Sequence, residues 1–244
     1  MTRRVWQDEH VDADVDGVQV LMRLGRRDEQ QDAAYVGPEV IAVADGLGGH
    51  ADGAAASKAA LDVFGTVIEE DGSLADAAGR ADAAVRALAV GGWSPRAPGT
   101  TLVAARLQGE RLEGVWSGDS RAYRLRDDGL LQPLTEDHGD FMGAIEHSLG
   151  GFSPDPLHLD QFSCDVVGTI GLLLCSDGLT GPFEEASHRG GRIGDVEVAQ
   201  DDPAGTMATL LEGHGISGLV ALAAQTGSDN ITAVWWPFRP QQAR

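Results

Sequence analysis

The amino-acid sequence predicts an α+β sandwich with antiparallel sheets inside, and three observations carry that prediction. Apolar runs of strand length come in groups separated by pairs of helical patterns, in the order strands, two helices, strands, two helices, strand. That is not the strict alternation that builds a parallel sheet. The apolar period changes from helical to two near residue 100. A hydrophobic content of 42% over 244 residues supplies a sizeable core, read here as one domain over 1–244.

Taken in order, 18–24 reads as a strand and VIAVA at 40–44 as a second, mostly buried one, each running into polar or glycine-rich sequence. Beyond the glycines, Ala60, Phe64, Val67 and Ile68 recur at helical spacing. An alanine-rich helix follows over about 73–89, with Ser73 as its N-cap. GGWSPRAPG at 91–99 breaks the pattern and marks a connection. Three short strands, 101–106, 112–117 and 122–125, then read as an antiparallel meander, the first two joined by a turn at Gln108, Gly109 and Glu110. GLLLC at 171–175 is a further buried strand, and ITAVWW at 231–236 closes the set. Between them Asp202 and Pro203 suit an N-cap and a first helical position, opening helices over 203–213 and 217–225. There is no internal repeat and no low-complexity tract.

Charge narrows the function classes. With 38 acidic and 18 basic residues the net charge is −20, which repels nucleic-acid phosphates and anionic lipid surfaces. No stretch comes near the roughly 20 apolar residues of a membrane span, and MTRRVWQDEH has no apolar segment behind its arginines. The expectation is a cytoplasmic protein with no nucleic-acid partner and no membrane insertion. Two cysteines, Cys164 and Cys175, make no disulfide framework and lack paired zinc-site spacing, which argues against zinc and redox chemistry. Lys58 is the only lysine and follows no phosphate-binding loop, while the arginine, alanine and glycine content suggests a GC-rich bacterial source.

The informative pattern is where the aspartates fall. Asp45 follows VIAVA, Asp119 follows the strand ending at Ser117, Asp177 follows GLLLCS, and Asp229 precedes ITAVWW. Asp32 comes a few residues after the first strand. Strand ends are rigid points from which side chains can converge. Like charges at about 4 Å repel by on the order of 4 kcal/mol at an effective dielectric near 20, so converging carboxylates require cations. An all-oxygen set selects hard ions such as Mg²⁺ or Mn²⁺. Asp-Gly is also ordinary turn chemistry, but the local contexts here are unusual: ADGLGGH at 44–50, SGDSR at 117–121, CSDGLTG at 175–181 and GSDNIT at 227–232.

In this order and context, from 27 to 231, these motifs resemble the metal-dependent serine/threonine protein phosphatases, the type 2C or PPM family. The match is to the bacterial type with a shortened flap. The resemblance implies a four-layer sandwich, two central antiparallel sheets flanked by helix pairs. It implies that Asp45 bridges two metal ions, that the Gly46 carbonyl is a further ligand, and that Asp177 and Asp229 complete a binuclear Mn²⁺ or Mg²⁺ site. Asp32 falls at the family's early acidic motif and counts among the metal-site residues, and Asp119 with Asp177 falls at a weaker third metal. Arg27 would grip the substrate phosphate, and Asn230 would support its neighbour. The implied reaction is hydrolysis of phosphoserine and phosphothreonine in proteins by a metal-bridging hydroxide, without a phosphoenzyme, with a serine/threonine kinase or its targets as partners.

Departures from the pattern matter too. Gln31 stands where many members carry an acidic residue, and Leu47 where animal members carry histidine. His50 and His138 are read as structural support. The segment between His138 and Gly151 is shorter than the usual bacterial flap, which bears on substrate selection. Cys175 has Gly181 where a cysteine phosphatase needs arginine, and GDS at 118–120 is not a nucleophile elbow. The alternative is a non-catalytic phosphoprotein-binding module, favoured by the short flap and Gln31 and opposed by the retained Asp32, Asp45, Asp177 and Asp229. A purely structural acidic protein would show no stabilisation by divalent metal.

Overall fold

The computed structural model describes residues 4–47, 51–89, 97–139, 144–150 and 156–238. Its elements are β1 (Arg4–Trp6), β2 (His10–Val15), β3 (Val18–Arg23), β4 (Asp32–Gly37), β5 (Val40–Leu47), α1 (Ala51–Glu69) and α2 (Leu74–Leu88). There follow β6 (Gly99–Thr100), β7 (Leu102–Gln108), β8 (Arg111–Ser117), β9 (Arg121–Arg126), β10 (Leu131–Pro133), β11 (Leu149–Gly150), β12 (Asp160–Asp165) and β13 (Thr169–Cys175). The chain ends with α3 (Asp177–His188), β14 (Arg192–Ile193), β15 (Val196–Glu197), α4 (Pro203–Thr226) and β16 (Ile231–Pro237). One sheet runs β1-β4-β5-β7-β8-β12, with β6 beside β5 and β11 beside β6; the other runs β10-β9-β13-β16-β3-β2. Every pairing in both is antiparallel.

Period-two side-chain alternation turns these sheets into four layers. Along β5, Ile41 and Val43 face the second sheet while Val40, Ala42 and Ala44 face α1 and α2. Along β13, Leu172 and Leu174 point into the inter-sheet core, and Leu173 and Cys175 point toward α3 and α4. Strands covered on both faces read as continuous apolar runs, which is why VIAVA and GLLLC stood out. Phe64, fully buried, packs edge-on against Tyr35 at 6.0 Å and anchors α1 to the first sheet. Ser73 caps α2, its hydroxyl accepting from the Asp76 N–H at 3.0 Å.

Several expectations change. The three-strand meander does not form: β7 and β8 make the hairpin, with Gly109 at φ 63°, but β9 crosses to the other sheet and pairs with β10 and β13. Periodicity reports which face is buried, and both sheets bury the same kind of strand. The sequence reading lacks α3, whose glycines, serine and Pro182 hide its helical period. The two C-terminal helices expected over 203–213 and 217–225 are present, run together as α4 and separated by a break at Gly215 (φ 66°, ψ −176°). By length and composition α4 reaches the range of a membrane span, with an apolar window of mean hydropathy 1.3, but the break at Gly215 divides it and half of the window is buried, Leu210, Leu219 and Val220 lying in the outer core. Strands β1, β2, β4 and β12 went unread; β2 and β12 are half exposed and mostly polar. Most of the connection at 91–99 lies outside the described residues.

Candidate active site

The carboxylates meet at one end of the sandwich, where the chain passes from sheet to sheet. Asp45 lies near the end of β5, and Asp32 opens β4 directly across from it in the ladder. Asp119 sits in the crossing between β8 and β9. Asp177 is the first residue of α3, where the helix N-terminus favours an anion, and Asp229 immediately precedes β16. A cavity of about 210 Å³ is lined by Arg27, Gln31, Asp45, Gly46, Leu47, Asp119, Ile145, Asp177, Asp229 and Asn230.

The electrostatics of this cavity call for cations. Burial, and then the charges of Asp32, Asp177, Asp119 and Asp229, push the Asp45 carboxyl well above the usual range. Burial raises Asp119 to about 7, with Asp177 and Asp137 adding to it. Burial and Asp229 raise Asp177, whose carboxyl is in hydrogen-bonding contact with that of Asp45. Two carboxyls in contact need a shared proton or a cation. Asp119 Oδ1 and Asp177 Oδ1 are buried and have no hydrogen-bond partner, so the donor set has open valences. All-oxygen donors, a backbone carbonyl at Gly46 and like charges at close range fit hard divalent ions. Asp32 is different. It is fully buried and absent from the cavity wall; its Oδ2 accepts from the Ser176 hydroxyl at 2.8 Å, and burial lifts its carboxyl to about 7. It stands behind Asp45.

Backbone and hydroxyl contacts fix the positions of these groups. The Asp45 N–H donates to Thr101 Oγ1 at 2.9 Å, the Asp45 carbonyl accepts from the Thr101 N–H at 2.8 Å, and Thr101 Oγ1 lies 2.7 Å from Ser120 Oγ. Asn230 ties three strands' ends together: its Oδ1 accepts from the Gln31 N–H and its amide donates to the Leu24 carbonyl, both at 2.9 Å. The Asp229 Oδ1 accepts from the Asn230 N–H at 2.8 Å. Two glycines permit this closeness. A Cβ on Gly178 would lie 2.0 Å from the Asn230 carbonyl oxygen, and one on Gly25 (φ 66°) would lie 2.0 Å from that of Asp229. Arg27 Nη2 reaches Asp229 Oδ2 at 2.5 Å, so a guanidinium stands at the cavity.

The structure therefore brings together Arg27, Asp45, Gly46, Asp119, Asp177, Asp229 and Asn230, with Asp32 behind them. His50 lies outside the described residues. The sequence reading missed Thr101, Ser120 and Ser176, whose hydroxyls act through pairing across strands, and Ile145, which reaches the cavity from the segment after His138. Gly139 bridges Ile145, and the Glu146 N–H donates to the His138 carbonyl at 2.8 Å.

Carboxylates drawn from both sheets into one cation-binding cavity define a metal-binding α+β sandwich protein. Residues 24–197 match the protein phosphatase 2C family, and the chain belongs to it. It is 33% identical over 184 residues to the serine/threonine protein phosphatase PstP of Mycobacterium tuberculosis, an alignment covering 65% of this chain and 35% of the relative. The chain thus spans about a third of that relative's length. The crystal structure of the Mycobacterium tuberculosis serine/threonine phosphatase PstP/Ppp superposes with a TM-score of 0.69 at 26% identity, covering 91% of this chain and 99% of that one. The catalytic domain of PstP in complex with two manganese ions superposes with a TM-score of 0.67 at 27% identity, covering 90% and 97%.

Proposed function

We propose that this chain is a metal-dependent phosphoprotein phosphatase acting on phosphoserine and phosphothreonine, and that residues 1–244 work as one catalytic unit. The observation that carries the reading is the placing of unpartnered, mutually repelling carboxylates beside a guanidinium in a cavity of phosphate-accommodating size. Asp45, Asp177, Asp229 and the Gly46 carbonyl would hold two Mn²⁺ or Mg²⁺ ions, and Asp119 with Asp177 a third. When bound, these ions supply positive charge that acidifies water for attack on phosphorus and neutralises phosphate oxygens.

The protein's own groups do the rest. Arg27 offers a planar fork that can hold two phosphate oxygens, and its reach to Asp229 shows that it extends over the cavity. Asn230 and Thr101 keep Asp229 and Asp45 at fixed positions, so little reorganisation accompanies the reaction. Ile145 and Leu47 give the cavity an apolar side against which the methylene or methyl of a phosphorylated residue can rest. A serine/threonine kinase that supplies the substrates, and a cytoplasmic setting, belong to the same proposal; two unpaired cysteines suit a reducing compartment.

The test is hydrolysis of a phosphothreonine peptide by metal-stripped protein supplied with Mn²⁺, run beside Asp177→Asn. Metal-dependent turnover that the substitution abolishes supports the reading. Mn²⁺ binding without turnover would instead make the chain a phosphoprotein binder.

A further inference from the structure

Three histidines and one aspartate gather beside Gly118. His138 is nearly buried, with its side chain 8% exposed, and its ring stacks on Trp116 at 5.7 Å. Its backbone N–H donates to the Gly118 carbonyl at 3.1 Å. His158 and Asp160 come from the approach to and start of β12, each with its side chain about half exposed. His147 stacks face to face on the His158 ring at 4.2 Å. Nε2 of His138 lies 3.3 Å from Asp160 Oδ2, and Nε2 of His158 lies 3.5 Å from Asp160 Oδ1.

Those separations are long for a charge-assisted hydrogen bond, which closes to about 2.7–2.9 Å. His138, His158 and Asp160 also each offer one ligand atom, and these atoms all lie within 4.8 Å of one another, close enough to converge on one ion with small side-chain shifts. We propose that His138, His158 and Asp160 form a second metal site, for a borderline transition ion such as Zn²⁺, with a fourth position open to water. Two imidazoles and one carboxylate select such an ion over Mg²⁺, which the all-oxygen cavity takes. The cysteine count argues against zinc altogether, and a site of imidazoles and a carboxylate departs from that expectation. Nothing in the spacing of residues 138, 158 and 160 marks a motif, because the ligands meet only when the segment between them folds back.

The surroundings bear on ligation in opposite ways. Burial of the His138 side chain disfavours its charged form. Its Nδ1 faces the Gly118 N–H at 3.3 Å, which puts the ring proton on Nε2 toward Asp160. On ligation the proton leaves Nε2 and Nδ1 takes one up, and that long Gly118 contact is what yields. The ligands also bracket residues 139–157, so the ion would clip together both ends of the segment that carries Ile145 to the catalytic cavity.

The test is equilibrium dialysis of the untagged, metal-stripped full chain against micromolar Zn²⁺ in millimolar Mg²⁺, which occupies the all-oxygen site. Wild type and Asp177→Asn should each retain one Zn²⁺ per chain, and His158→Ala and Asp160→Asn should retain none. Both changed side chains are half exposed, and circular dichroism of each variant should match wild type. Co²⁺ in place of Zn²⁺ should give the intense visible absorption of four-coordinate cobalt, absent in His158→Ala. Absence of Zn²⁺ from wild type, its retention in His158→Ala, or its loss in Asp177→Asn would each overturn the proposal.

Discussion

Asp119→Asn should stabilise the metal-free protein at pH 8 and leave it nearly unchanged at pH 5. The carboxyl has one buried oxygen without a partner and is raised to about 7 by burial and by Asp177, against an ordinary value of 3.8. Below pH 4 both folded and unfolded chains hold the proton. Between about pH 4 and 7 the folded chain keeps a proton that the unfolded chain has released, so stability falls as pH rises through that window and levels off above it. The difference of about 3 in pKa corresponds to ~4 kcal/mol at most. The amide that replaces the carboxylate remains partly unsatisfied, at about 1–3 kcal/mol, so a net gain on the order of 1–3 kcal/mol is expected at pH 8. Urea unfolding in EDTA at the two pH values reads this directly, and Mn²⁺ added at pH 8 should stabilise wild type more than the variant. Equal destabilisation at both pH values would refute the electrostatic argument, because a packing or hydrogen-bond loss carries no such dependence.

Three further outcomes follow from the same contacts. Arg27→Ala should lower kcat/KM on a phosphopeptide by about 10- to 100-fold, as expected for one or two lost charge-assisted bonds, while costing under about 1 kcal/mol of stability because its pair with Asp229 is half exposed; steady-state kinetics with thermal melts separates the two. Gly178→Ala should destabilise by on the order of 3 kcal/mol or more, since its Cβ would meet a backbone oxygen, whereas Gly181→Ala, which meets open space in the same helix, should be neutral or stabilise by up to about 1 kcal/mol. Thr101→Val should cost about 1–3 kcal/mol and weaken Mn²⁺ binding measured by calorimetry, because it leaves the Asp45 N–H and Ser120 without their shared hydroxyl.

The parts of the molecule legible in its sequence are those where local chemistry and global position coincide. VIAVA and GLLLC are buried on both faces, so their apolar runs announce central strands, and the aspartates that follow them are at strand ends for the same reason. Ser73 and Asp202 are caps whose function is local: the Asp202 carboxylate accepts from the Gly205 N–H at 2.8 Å. Illegible parts depend on distant partners. The pattern in 122–125 is that of any half-buried strand, and only its pairing with β13 assigns it to the second sheet. Asp32 is not assigned to a strand in the sequence because its strand, β4, is alanine-rich with a single β-branched residue, Val36, yet all six of its residues are buried. Ser176 is a helix N-cap by position whose side chain caps nothing; it serves Asp32, 144 positions away in the chain.

The site's location explains why the fold needs two sheets rather than one. A single sheet end could present several carboxylates, but neighbouring strands would hold them at fixed ladder spacing, as Asp32 and Asp45 are held. Bringing Asp177 and Asp229 from the opposite sheet lets four acidic groups approach from different directions, around a cavity instead of along an edge. The repulsion this creates is resisted by backbone, not by countercharge. The Asp45 peptide is pinned through Thr101, and Asn230 links the two sheets through Leu24 and Gln31. Gly178 lets α3 approach β16 close enough for Asp177 to enter. Among the described residues the only side-chain cation at the cavity wall is Arg27, and its contact with Asp229 is half exposed, worth little in water and exchangeable for a phosphate. An arrangement that is electrostatically strained without metal and rigidly held by hydrogen bonds is the one in which added divalent ions gain the most. Ion binding should therefore raise stability and create the phosphate site in the same step.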